Sequence, residues 1–245
     1  MTHLAPTTGI RMNTSPSHPL DNPVWNALAV AHAHLRQGDG LACRYLPDVA
    51  PFAALASEAA PAWEALAQLL PAGEQVAILA AGPITPDARF RSQPIGVLHQ
   101  MTATAAASAA DDAPDIVLLR SDDAADMLEL TQATKPGPFC KRTHEMGRYI
   151  GIRNQGRLIA MAGERMRPEG HVEISAVCVD PAWRGKGIAA RLIKRLQASI
   201  QERGDTPFLH VLGSNQNAIA LYERLGFTLR RTFFLTLIGQ AERNV

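Results

Sequence analysis

The sequence predicts an α/β protein in which a mixed central sheet is flanked by helices and preceded by a smaller α/β unit. Three observations carry the prediction. HVEISAVCV (171–179) alternates in hydropathy as a strand does, residues 188–201 repeat apolar side chains at helical spacing, and a glycine-rich turn joins the two directly. Upstream, further runs of strand and helix character alternate along the chain.

Taken in order, residues 1–20 are polar and rich in Pro, Ser and Thr, without the apolar run of a signal peptide, and are expected to form a flexible tail. Residues 21–101 are expected to form an N-terminal α/β domain, with helices at PVWNALAVAHAHLRQG and PAWEALAQLL and strands at EQVAILAAG and PIGVLHQ. No motif in that stretch assigns it a role. An alanine-rich segment, 102–114, reads as a linker to a second domain over 115–245. There DIVLLR, ADMLELTQAT, RYIGIR and GRLIAMAGERM supply a strand, a helix and two strands, the last two joined by a turn at Asn154, Gln155 and Gly156. Within HVEISAVCV, strict alternation sends Val172, Ile174, Ala176 and Cys178 to one face and Glu173, Ser175, Val177 and Val179 to the other. In the helix that follows, Ala189, Leu192, Ile193, Leu196 and Ile200 form the apolar face, and Gly204 stands where the helix should stop.

The turn between them has the features of an anion cradle. Gly185 and Gly187 permit a sharp turn and close approach, while the first N–H groups of the helix lack intrahelical partners and carry the positive end of its dipole. A diphosphate would satisfy them. Spacing separates the known cradles. Lys186 is followed by Gly187 where a P-loop requires Ser or Thr, and no earlier glycine stands at the P-loop distance. A dinucleotide fingerprint would need a parallel strand ending in an acid about twenty residues on, and none is found. What matches is R-x-x-G-x-A, at Arg184, Gly187 and Ala189.

That motif resembles the acyl-coenzyme A signature of the GNAT N-acetyltransferase superfamily. Downstream, Asn215, Ala218, Leu221, Tyr222, Gly226 and Phe227 match the superfamily pattern N-x-x-A-x-x-L-Y-x-x-x-G-F, in the family's order. The resemblance covers roughly residues 115–238, about half the chain, and its layout is similar to that of glycine N-acyltransferase-like members. It implies the GNAT acyl-CoA acyltransferase fold, acetyl-CoA as cosubstrate, and direct transfer of an acetyl or short acyl group to a primary amine in a ternary complex. Conjugation of small amines, and a non-catalytic acyl-CoA sensor, are the alternatives; retention of Tyr222 and Glu173 favours catalysis. The resemblance further implies that the pantetheine arm pairs with backbone in the stretch 176–179, including Val177, Cys178 and Val179. It places the diphosphate on Arg184, Gly185, Lys186, Gly187, Ile188 and Ala189, and adds Asn215 as a cofactor contact. The N-terminal half is then a supporting domain, a degenerate copy of the same fold, or a domain that shapes the acceptor site.

The chemistry requires an amine to lose a proton, attack a thioester carbonyl and expel a thiolate. An alkyl ammonium near pKa ~10.4 is a poor nucleophile at neutral pH, so a base or a water relay is useful. Glu173, on the strand where the superfamily often carries a glutamate, is the candidate base; the competing reading is a solvated carboxylate at a strand start. His210, on the next strand, is the reserve base or an acceptor contact, against a satisfied core histidine. Tyr222 is the candidate general acid for the thiolate, against a plain core tyrosine. The loop KPGPFCKRTHEMG (135–147) sits where the superfamily places acceptor-binding elements, which makes Phe139, Arg142, Thr143 and His144 acceptor candidates.

Composition bounds the rest. A net charge of +1 gives no bulk field for nucleic acid or an anionic membrane. The three cysteines are widely spaced and form no C-x-x-C, which suggests a reducing compartment and no structural metal. His32 and His34, if helical, face different directions and do not make a metal pair. No run reaches membrane-spanning length, and a cytoplasmic location is expected. The expected partner is a small-molecule or peptide amine, and a homodimer is compatible with the sequence.

Overall fold

A computed structural model describes residues 18–103, 105 and 114–241. In chain order the elements are α1 (Pro23–Ala29), β1 (Arg36–Gly38), β2 (Ala42–Tyr45), β3 (Phe52–Leu55), α2 (Ala60–Leu69), β4 (Gln75–Ala80), β5 (Phe90–Thr102), β6 (Ile116–Leu119), α3 (Ala124–Thr134), β7 (Tyr149–Asn154), β8 (Arg157–Glu164), β9 (His171–Val179), α4 (Ile188–Glu202), β10 (Thr206–Leu212), α5 (Gln216–Arg224) and β11 (Thr228–Gln240). All the strands join one sheet in the order β1-β2-β3-β4-β11-β5-β10-β9-β8-β7-β6. The β3–β4 and β9–β10 pairs are parallel, and the rest are antiparallel.

Alternation along the strands divides the core into two layers. On β4, Ala77 and Leu79 pack with Val24 and Leu28 of α1, whereas Val76 and Ile78 pack with Trp63 and Leu66 of α2 on the opposite face. On β10, Phe208 joins the α1 layer, while Leu209 and Val211 meet Leu192, Leu196 and Ile219 of α4 and α5. Helix α3 covers β8 and β9 through Met127 and Leu130. Local signals account for several boundaries. Asn22 caps α1 by accepting from the Trp25 N–H at 3.3 Å, and Pro23 begins it. The β7–β8 hairpin turns through Gln155 and Gly156, both at positive φ (49° and 82°), as a type I′ turn demands.

The mixed α/β class is as the sequence predicts, but the boundary expected at residue 101 does not divide the sheet. Strand β5, at the end of the expected N-terminal domain, lies between β10 and β11 of the expected second domain. Strand β11 in turn pairs with β4 along Phe234–Gly239. Much of the expected tail (1–17) and linker (104, 106–113) lies outside the described residues. What is described corrects their ends. Leu20 is fully buried, Asp21 pairs with Arg230 and Arg231 at 2.7 and 2.8 Å, and Ala103 is buried and donates its N–H to Pro207 O. The first helix is also shorter than its pattern suggests, because the chain turns after Ala29 and His32 and His34 fall in and beside a short 3-10 turn. Among the described residues no helix is long and apolar enough to cross a membrane.

Candidate active site

The central feature is a fork in the sheet. Strands β9 and β10 pair only through His171/Thr206, Val172/Pro207 and Glu173/Phe208. Beyond that point β9 stays with β8 and β10 stays with β5, so the two diverge. Ala176, just past the fork, has φ +50°, and the β8–β9 register shifts opposite it, between Met161 and Gly163. This bulge reverses the side-chain phase and corrects the predicted alternation. Val172, Ile174 and Val179 face α4, whereas Ala176 and Cys178 join the α3 layer. Burial pushes the Cys178 thiol up to about 11, so this cysteine is an inert packing group. A non-glycine residue in the left-handed region costs about 1–3 kcal/mol, and strain of that kind collects at functional positions.

Next to the open edge of β9 stands the glycine turn. Gly185 and Gly187 have φ +76° and +73°, and a Cβ at either would meet open space within 4 Å. None of the backbone N–H groups of residues 185–189 has a hydrogen-bond partner among the described residues, and α4 begins on Gly187 without a side-chain cap. The turn is exposed, uncapped and rich in N–H donors, the arrangement an anion needs. Asp180 supports it from behind, accepting from the Ala182 N–H at 2.9 Å and from Arg157 at 2.6 Å. Lys186 lies 4.3 Å over the Trp183 ring, and Arg184 donates to Val179 O at 3.3 Å while remaining exposed. Ile188 is buried and Ala189 half-buried, so they offer the turn only their backbone.

Helix α5 follows β10. Asn215 caps it, its side-chain oxygen accepting from the Ala218 N–H at 3.2 Å. Tyr222 is half-buried, edge-on to Phe227 at 6.1 Å between centroids, and its hydroxyl has no partner among the described residues. Burial raises its pKa, so the phenol keeps its proton at neutral pH and can donate it.

The two candidate bases are placed otherwise than the sequence suggests. Glu173 is fully buried, with its oxygens accepting from Arg165 at 2.8 and 2.7 Å, from His210 Nδ1 at 2.8 Å and from the Met166 N–H at 3.3 Å. Burial would raise this carboxyl, but the Arg165 charge and these hydrogen bonds outweigh it and hold the group well below the usual carboxylate range. A carboxylate so saturated is a counter-ion and not a proton acceptor. His210 has a side chain 2% exposed; Gln100 donates to its Nε2 at 3.1 Å, leaving Nδ1–H to donate to Glu173. Neither residue presents a free lone pair to the cleft.

The loop 135–147 is tied to the N-terminal half. Thr143 donates its hydroxyl to Val49 O at 2.6 Å and accepts from the Cys140 N–H at 2.7 Å, so it is a brace and not a free acceptor contact. The Arg142 N–H reaches Asp48 O at 2.8 Å, and its guanidinium pairs twice with Glu145 at 2.7 Å. His32 Nε2 donates to Met146 O at 2.9 Å, which fixes its other nitrogen as acceptor from Tyr45 at 2.8 Å. Phe139 packs edge-on against Tyr149 at 5.7 Å, and the buried Nδ1 of His144 has no partner among the described residues. Sequence reasoning missed Arg165, Gln100 and the bracing residues Asp48 and Val49; none lies in a motif, and only the fold brings them here.

Comparison with known proteins places this geometry in context. The family described as FR47-like protein matches residues 149–235. A solved structure from Novosphingobium aromaticivorans DSM 12444, described as belonging to the GNAT family, is 41% identical, covers 92% of this chain and 100% of its own, and superposes with a TM-score of 0.86. Among curated proteins, N-alpha-acetyltransferase RimI of Mycobacterium tuberculosis is 37% identical over 92 residues, 35% of this chain and 57% of that protein. The ribosomal protein bS18-alanine N-acetyltransferase of Escherichia coli K12 is 39% identical over 70 residues, 27% of this chain and 47% of that protein. The chain thus spans about half the length of these curated relatives.

Proposed function

This chain belongs to the GNAT family, and from that premise we propose that it transfers an acetyl group from acetyl-CoA to a primary amine by direct attack in a ternary complex. The observation that carries the reading is the fork: a bulged edge of β9 that β10 leaves unpaired, beside a turn whose N–H groups have no partner among the described residues. The residues fit the cosubstrate. The amides of residues 185–189, with Arg184 at their side, would hold the diphosphate, and the edge of residues 176–179 would pair with the pantetheine arm. An N–H on that edge would polarise the thioester carbonyl as negative charge develops on it.

Tyr222 would give its proton to the departing thiolate. With Glu173 and His210 closed off, the amine proton leaves through water, and the chain's own task is to hold the amine near the carbonyl. Loop 135–147, braced by Asp48, Val49 and His32, would form the acceptor wall, with Phe139 and His144 as contacts; this gives the N-terminal half its purpose. The names of the relatives, an N-alpha-acetyltransferase and an alanine N-acetyltransferase, favour the α-amine of a peptide as acceptor.

The test is thiol release from acetyl-CoA with peptides bearing free or blocked N-termini, set beside small amines, polyamines and lysine side chains. Turnover confined to free peptide N-termini is expected. Turnover on small amines with none on peptides would assign the enzyme to small-amine conjugation, and no turnover with tight acyl-CoA binding would point to a sensor.

A further inference from the structure

A row of buried polar side chains crosses the sheet where β9 and β10 part. Arg165, which extends β8 by donating its backbone N–H to Glu173 O, holds the Glu173 carboxylate of β9; that carboxylate accepts from His210 of β10; and the His210 ring accepts from Gln100 of β5. These are neighbouring strands in the sheet order β5-β10-β9-β8. Glu173 and Gln100 are 0% exposed, and the His210 and Arg165 side chains are 2% and 10% exposed. Both ends of the row are fastened. Arg165 lies 5.0 Å over the Phe52 ring. Gln100 donates to Leu20 O at 3.0 Å and accepts from Arg230 at 2.8 Å, and Arg230 pairs with Asp21.

The row sits at the apex of the fork. The last backbone pair is Glu173 with Phe208, and the Glu173–His210 bond is made two residues farther along β10. Past this bond nothing in the sheet ladder fixes the distance between the strands, because each keeps only its outer partner. The angle of divergence therefore depends on the side chains at the apex. A neutral apolar pair there could slide, whereas a bidentate guanidinium–carboxylate bond and a directional imidazole bond have one geometry each.

We propose that Arg165, Glu173, His210 and Gln100 act as a strap whose role is to set the opening of the β9–β10 cleft and so the position of the β9 edge that would pair with the pantetheine arm. These are positioning residues, and the strap rests on the reading of the cleft as the acetyl-CoA site. It also gives the N-terminal half a second role, since it supplies Gln100 to the strap, and Leu20, Asp21 and Phe52 fasten its ends from outside the two motif regions.

Removing Glu173 would leave Arg165 buried without a counter-ion, so the test uses the other members. His210→Gln keeps an N–H donor for Glu173, while His210→Leu removes it at similar volume; Gln100→Leu leaves the Glu173–His210 bond but unfastens its outer end. Acetyl-CoA affinity is measured by calorimetry on the full chain and on each variant, with cooperative thermal melting as the check of folding. His210→Leu is expected to weaken affinity about tenfold and Gln100→Leu severalfold, with His210→Gln within about twofold of the parent. In steady state the loss should fall on KM for acetyl-CoA, with KM for the acceptor amine unmoved. Folded His210→Leu or Gln100→Leu protein with parental affinity would overturn the strap while leaving the site reading intact. Failure of the parent chain itself to bind acetyl-CoA would overturn the site reading, and the strap with it.

Discussion

Glu173 and His210 touch at 2.8 Å across a gap that their own backbones no longer bridge. With Arg165 on its other side, this carboxylate has a folded-state pKa far below its ordinary value of 4.5. A depressed carboxyl stabilises the fold above its unfolded pKa and loses that contribution as pH falls. Native stability should therefore drop steadily below about pH 4.5, and Glu173→Ala should cost about 3–5 kcal/mol at pH 7, because it orphans a buried guanidinium. Urea denaturation across pH checks both. A Glu173→Ala protein of parental stability and reduced turnover would restore the carboxylate to the role of base.

A second acid-sensitive group lies under loop 135–147. Burial, working against its hydrogen bond to Met146 O, lowers the His32 pKa from 6.5 to about 4. Between those values the unfolded chain binds a proton that the native state refuses, so stability falls as pH drops from 6.5 toward 4, by about 3 kcal/mol in all. Thermal melts at pH 7.5 and 5 should separate by several degrees beyond the change in a His32→Gln variant, since about 1 kcal/mol corresponds to roughly 2–4 °C at this size. Equal separations in the two proteins would remove His32 as the cause.

Gly187 is tested by size and by φ together. Gly187→Val forces a β-branched residue to φ +73° and fills the space where a phosphate would sit. The strain should cost about 1–3 kcal/mol of stability. Acetyl-CoA affinity should fall by more than tenfold in protein that still melts cooperatively. Calorimetry showing unchanged affinity would move the diphosphate away from this turn.

How much of this was legible in the sequence follows from where each signal lives. The cradle is local: Arg184 to Ala189 sit within one turn, and glycine spacing reports a backbone conformation directly. Tyr222 and its helix are local too. The bulge at Ala176 is not, because alanine carries no preference for positive φ and the extra residue of β9 shows only against its partner strand β8. The surroundings of Glu173 were hidden for a related reason: its neutralising partner Arg165 stands eight residues away across a tight β8–β9 return, and His210 comes from another strand. The domain boundary failed because β5 looks like an ordinary end to one unit, while its partners β10 and β11 lie more than a hundred residues on.

Tyr222→Phe separates the acid from the core residue. The ring contacts with Phe227 and the α4 cluster survive the change, so stability and acetyl-CoA affinity should hold near parental values. Loss of the proton donor should lower kcat by ~100-fold or more where chemistry limits turnover. Parental kcat in single-turnover experiments would leave Tyr222 as packing alone.

The last prediction concerns a chain shortened to begin at Ala113. On the motifs alone it should bind acetyl-CoA, since both lie beyond that point. The sheet argues otherwise. Deleting the preceding residues removes β5, which pairs with β10 along Leu98–Thr102 and with β11 along Phe90–Thr102, and so leaves two central strands with unpaired edges. It also takes away Gln100 from the strap, and uncovers Phe208, Phe233 and Met166, which pack against Leu20, Leu28 and Phe52. Exposed edges beside an exposed apolar face are the conditions for aggregation. The shortened chain should be insoluble or should lack a cooperative melt, and should not bind acetyl-CoA; soluble expression, circular dichroism and calorimetry decide. A soluble fragment that binds acetyl-CoA with parental affinity would mean that β10 and β11 can close on each other, and that the N-terminal half is dispensable to the cosubstrate site.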